Sequence, residues 1–259
     1  MPSEVGHLVD NGQAYPVVRL SGVLSAETAP SVRSALVGVL AEGPEALIVD
    51  VRGLAVDDPG AAGVLRDLAR ENDDWPAAHL MLCCADANDW RASGLPVWPS
   101  AAEAFTALGA PDVDRYLCLE LEPAVGAARR ARELVTEACG RWDLPELAGP
   151  ACLVVTELVN NVVAHARTPM SVLLARRGDT MSVAVRDQSS AQPRFTGAVA
   201  PTAYGGRGLL LIDSVARRWG NLELIDGKVV WALLEGEDES PDASRSHLNS
   251  AGMADRARG

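Results

Sequence analysis

Lysine is almost missing from this chain. Of 23 basic residues in 259, Lys228 is the only lysine and the rest are arginine. With abundant Ala, Val and Leu, that skew points to genome composition and not to fold. Positive charge is scarce as well: 35 acidic residues leave a net charge of −12 and a pI near 4.8. Such a balance argues against nucleic acid or an anionic membrane as the main partner. No apolar run reaches the roughly 18–20 residues of a membrane helix. The opening MPSEVGHLVD lacks a basic stretch followed by an apolar core, so no signal peptide is expected. Five cysteines form no CxxC pair and four histidines are scattered, so zinc chemistry is not expected and a reducing cytoplasm is the expected compartment.

What is present is enough apolar material, 48% of residues, for two domains with real cores. Charge divides the chain. Residues 1–112 hold 6 basic against 16 acidic residues, 113–235 hold 14 of each, and 236–259 hold 3 against 5. The last segment is polar and without apolar periodicity, which predicts a disordered tail. In the first, Tyr15–Leu20, Ala46–Val51 and His79–Cys84 read as strands. Glu27–Leu40, Pro59–Arg70 and Ala101–Leu108 read as helices, with Asp58 as N-cap and Pro59 in the first turn of the second. The expectation is a small α/β sandwich.

Chemistry concentrates in the second segment. Val125–Cys139 and Ala151–Arg167 predict two helices. On the second, Glu157, Asn161 and His165 recur every four residues and share a face. A carboxylate and an amide in that apolar setting are costly to bury unless they find partners. Thr180–Arg186 predicts a strand ending at Asp187, Gln188 and Ser189. A Pro- and Gly-bearing stretch leads to Gly206-Arg207-Gly208 and a helix over Leu209–Trp219. Glycines before a helix N-terminus let backbone N–H groups meet an anion.

Val49–Leu65 (VDVRGLAVDDPGAAGVL) and Leu95–Leu108 (LPVWPSAAEAFTAL) resemble STAS domains, the anti-anti-sigma factor fold. In regulated members an Asp-Ser-Ser-Gly sequence carries the phosphorylated serine. Here the stretch reads Asp58-Pro59-Gly60-Ala61, so the resemblance implies a degenerate phospho-site with Gly60 at the acceptor position. Glu157 to Ala166, Val185 to Asp187 and Gly206 to Gly220 together resemble the N, G1 and G2 boxes of Bergerat-type (GHKL, HATPase_c) ATPases. More narrowly they resemble the actinobacterial anti-sigma factor serine kinases. The expected fold is therefore α/β throughout. A STAS-type sandwich over 1–112 precedes a Bergerat-type sandwich over 113–235, a mixed sheet covered by helices.

The resemblance implies roles residue by residue. Glu157 is the expected general base and Asn161 the expected Mg²⁺ ligand, with ATP as cofactor. Asp187 is the expected acceptor for the adenine amine. Ser189, Gly206, Arg207 and Gly208 are expected to line the nucleotide, and His165 is expected to be a satisfied structural histidine. Both G1 glycines are replaced, by Ser189 and Ala191, and Val229 stands where such proteins often carry a threonine near adenine. Arg129, Arg130 and Arg132 fall on the helix that in the family contacts a sigma factor or a STAS (anti-anti-sigma) protein, and the acidic first segment of the same chain is an expected partner for that basic face as well. The implied function is a cytoplasmic partner-switching regulator of transcription, expected as a homodimer, that phosphorylates a serine of a STAS partner. Nucleotide-dependent sequestration without turnover is the alternative.

Overall fold

The computed structural model describes residues 5–84, 90, 93–189 and 207–236, without the side chains of 207–209. The expected tail beyond 236, the Pro- and Gly-bearing stretch ahead of Arg207 and Gly206 itself lie outside the described residues. The chain builds two five-stranded sheets, each with its own helices. The fold class is α/β.

The first sheet has the order β1(Gly6–Asp10), β2(Val17–Leu24), β3(Ala46–Val56), β4(His79–Cys83), β5(Val97–Trp98). Only β1 runs antiparallel to its neighbour; the other three pairings are parallel. Parallel strands need crossover helices, which cover both faces, so the central strand reads as the unbroken run ALIVDV. Helices α1(Ala29–Leu40) and α2(Gly63–Asn72) bury Leu36, Leu40, Leu65 and Leu68 on one face. Helix α3(Ala101–Leu108) covers Val17, Ile48 and Cys83 on the other. Ser100 caps α3, accepting from the Glu103 amide at 3.3 Å.

Helix α2 starts later than expected. Asp58 is not its N-cap; the Asp58 carboxylate accepts from the Gly60 amide at 2.8 Å, and a series of turns carries the chain to Gly63. A local Asx turn satisfies Asp58 before a helix can use it.

The second sheet has the order β6(Tyr116–Leu121), β7(Met170–Arg177), β8(Thr180–Asp187), β10(Gly227–Glu235), β9(Arg218–Leu224). All four described pairings are antiparallel. The mixed pattern expected here belongs to the first sheet instead. Hairpins join β7 to β8 and β9 to β10, and a helix pair between β6 and β7 returns the chain antiparallel.

That pair is α4(Ala127–Trp142) and α5(Ala148–Asn161), the latter continued by a π turn over Val162–Ala166. With α6(Arg207–Val215) they cover one face of the sheet. The stretch Pro145–Ala166 is by length and composition apolar enough to cross a membrane. Its apolar stripe of Val154, Val155, Leu158 and Val159 is spent on this core. Helix α6 stops at Val215, short of the expected Trp219, because the alternating RWGNLEL that follows joins the sheet as β9.

The opposite, rear face of this sheet is covered by the first module. Trp75 and Ala41 pack against Leu173, Ala184 and Val229, ringed by Tyr116, Leu222, Leu224 and Trp231. Polar contacts frame the seam. Glu42 pairs with Arg186 and its carbonyl accepts from the Tyr116 hydroxyl at 3.0 Å. Asp74 pairs with Arg218 at 2.6 Å. Glu45 accepts from the Asp112 amide at 2.9 Å and meets Arg115 at 3.6 Å, which ties down the connection between the sheets.

Candidate functional site

Helix α5 packs on α4, α6, β8 and β10. Thr156 faces α4, where its hydroxyl receives Arg132 at 3.2 Å. Glu157 and Asn161 lie about 100° and 140° further round the helix and so face away from α4. One turn, about 6 Å of rise, separates them. Both are half-buried, and neither has a side-chain partner among the described residues. A carboxylate and an amide held this way are free to engage a ligand. His165 sits on the π turn, exposed and without a hydrogen bond among the described residues, so nothing described there makes it the satisfied structural histidine expected.

Asp187 ends β8 on the same side of the sheet. Along β8 the residues Met181, Val183 and Val185 enter the core beneath the helices, and Asp187 follows in that alternation. Asp187 is 3% exposed. Oδ1 accepts from the Ser189 amide at 2.7 Å and from Lys228 Nζ at 2.9 Å. Lys228 Nζ also donates to the Ser189 carbonyl at 3.2 Å.

Sequence reasoning missed Lys228, whose one signal was its solitude. It is directly opposite Asp187 in the β8–β10 register and only 8% exposed. Val229, the position compared with an adenine-side threonine, points the other way, into the rear-face cluster with Trp75. Of the glycine-rich segment, Arg207 and Gly208 open α6.

The three arginines of α4 do not form one basic face. Arg132 is half-buried against α5, while Arg129 is exposed and pairs with Glu133 at 2.8 Å. Arg129 and Arg130 line a groove of ≈ 380 Å³ with Glu120, Glu122 and Glu133, so carboxylates there outnumber guanidiniums. The acidic first module does not dock on it; that module covers the rear of the sheet.

Among the described residues no three His, Cys, Asp or Glu side chains gather to hold a metal. A cation held by the Asn161 amide oxygen would therefore take most of its ligands from phosphates and water, as Mg²⁺ does. Asp187 Oδ2 has no protein donor among the described residues, which suits it to accept from an exocyclic amine. The residues present fit a magnesium–nucleotide pair.

An antiparallel sheet under a helix layer defines an α/β sandwich class. Residues 121–230 match the family model of the histidine kinase-like ATPase domain. No curated protein matches the chain. Among solved structures, an anti-sigma factor antagonist from Mycobacterium paratuberculosis is similar at 22% identity and a TM-score of 0.35. The likeness covers 41% of this chain and 96% of that one.

Proposed function

We propose that this chain is an ATP-binding regulator of the anti-sigma factor kinase type, in which a STAS-like module is fused to the ATPase domain. On this reading it transfers the γ-phosphate of ATP to a serine on a separate STAS protein. One observation carries it: Glu157 and Asn161 stand one turn apart on α5, half-buried and without a side-chain partner among the described residues, on the helix-covered side of the sheet on which buried Asp187 ends β8.

Asp187 accepts from the base, Asn161 offers its amide oxygen to the cation, and Glu157 takes the proton of the attacking hydroxyl. Bound Mg²⁺ neutralises charge on the phosphates. The start of α6, with Arg207 and Gly208 in its first turn, supplies N–H groups suited to phosphate. Arg129 and Arg130, on the face left open by the first module, are the residues offered to a STAS protein or sigma factor.

Incubation of the full chain with labelled ATP and a panel of STAS proteins from the same genome, scored for phosphoserine, tests the reading. Label that depends on Glu157 supports transfer; absence of label on every partner refutes it. The second reading, nucleotide-dependent sequestration without turnover, is favoured by Ser189 standing where the G1 glycine is expected. It predicts a complex with a partner that forms equally well with Glu157→Gln.

A further inference from the structure

The turn after β8 has an unusual support. Gly227 opens β10 so close beneath it that an added Cβ would lie 1.9 Å from the Asp187 carbonyl oxygen and 2.8 Å from Gln188 Cα. The next residue, Lys228, reaches up from the same strand to Asp187 Oδ1 and to the Ser189 carbonyl. Alternation along β10, with Val230, Ala232 and Leu234 in the helix-side core, puts Lys228 on the site side of the sheet.

We infer that Lys228 is a positioning residue of the base-reading site: it fixes Asp187 and its turn so that one carboxylate oxygen faces an exocyclic amine of the ligand. This rests on the nucleotide reading above and assigns a specificity role within it. The argument is one of valence. Asp187 Oδ1 is filled by the Ser189 N–H and the Lys228 ammonium, which orients the carboxylate plane and leaves Oδ2 for the ligand. Held in that plane, Oδ2 meets the ligand as an acceptor, which an amine donor satisfies and a keto oxygen does not. Lys228 therefore holds the site selective for an amino purine over an oxo purine, and keeps in place a turn that lacks its glycines.

The test compares ATP with inosine triphosphate, which carries an oxygen where ATP has the amine, on the full chain and its Lys228→Met variant. Titration calorimetry with Mg²⁺ is expected to show ATP binding at least tenfold weaker in the variant. Inosine triphosphate is expected to change less than twofold, so that discrimination collapses. Lys228→Arg, which keeps the cation, is expected to restore most of it and also serves if Lys228→Met does not fold. In the nucleotide-free chain, hydrogen exchange of the Ser189 amide is expected to be at least tenfold faster in Lys228→Met. Equal weakening of both nucleotides, or no weakening, overturns the specificity role. An unchanged Ser189 exchange rate overturns the support of the turn. If the unaltered chain binds neither nucleotide, the nucleotide reading fails and the base-reading role fails with it, while the exchange measurement still decides whether Lys228 holds the turn.

Discussion

Replacing Trp75 with alanine separates a docked pair of modules from a tethered one. Trp75 is 5% exposed, and its ring lies on Leu173, Ala184 and Val229 of the second sheet. Truncating a buried tryptophan costs about 3–5 kcal/mol where the surroundings cannot collapse. The backbone of a sheet is such a setting. The ion pairs at the seam add little: Arg218 and Asp74 are 62% and 32% exposed, and exposed pairs contribute about 0–1 kcal/mol.

If the seam couples the modules, urea unfolding of the full chain is one transition, and Trp75→Ala destabilises it by about 3 kcal/mol or splits it in two. Charge reversal at Arg129 and Arg130 is the control. Those residues were expected to hold the acidic first module, yet they lie in the groove beside α4, away from the seam. Reversing both is expected to leave the unfolding curve within about 0.5 kcal/mol, as for ordinary surface changes. The opposite pattern, with Trp75→Ala silent and the arginine reversal loosening the modules, would refute the docking described here.

Three further outcomes follow from the same geometry. Residues 113–235 alone are expected to self-associate in analytical ultracentrifugation, since removing the first module bares Leu173, Val229, Trp231 and Tyr116 on one face; a clean monomer would count against that. Gly60→Ser is expected to fold, because the new Cβ would lie 3.1 Å from Asp58 Oδ1 and needs only a small shift of that side chain. The first module sits behind the sheet and Glu157 in front of it, so any phosphoserine at residue 60 should form between chains, at a rate that rises with protein concentration. Mass spectrometry over a dilution series checks this.

The third outcome concerns pH. Hydrogen bonds from Arg52, at 2.9 and 2.6 Å, hold the buried Asp50 carboxyl below the ordinary aspartate value. A depressed pKa contributes stability that is present above the ordinary value and lost as pH falls through the depressed one. Arg52→Met should therefore be less stable than the parent at pH 7, with the gap closing below about pH 4. A gap independent of pH would mean that Arg52 acts by packing alone.

Much of this arrangement was legible in the sequence, and the failures share a cause. Glu157 and Asn161 could be placed because helical period is a local property, and Asp187 because a strand ran into it. Strand β3 was legible because a strand buried on both faces leaves a continuous apolar run. Strand β9 was not, since its alternation begins within three residues of α6 and reads as more of the same helix. Strand β7 was lost because only Arg167, Thr168 and Pro169 separate it from an apolar helix and its π turn. The Asp187–Lys228 pair was beyond local reading altogether: 41 residues separate the partners, and only the β8–β10 register brings them together.

One signal for the docking of the modules was present all along. An antiparallel sheet with helices on one face and water on the other should alternate apolar and polar residues. Strand β10 instead reads Val229-Val230-Trp231-Ala232-Leu233-Leu234 without a break. Val230, Ala232 and Leu234 belong to the core under the helices, and Val229 and Trp231 to the cluster around Trp75. A run of that kind in an antiparallel strand demands a second cover. Here the first module supplies it, from the end of α1 and the Trp75 loop, and in doing so leaves the α4 face of the second module open.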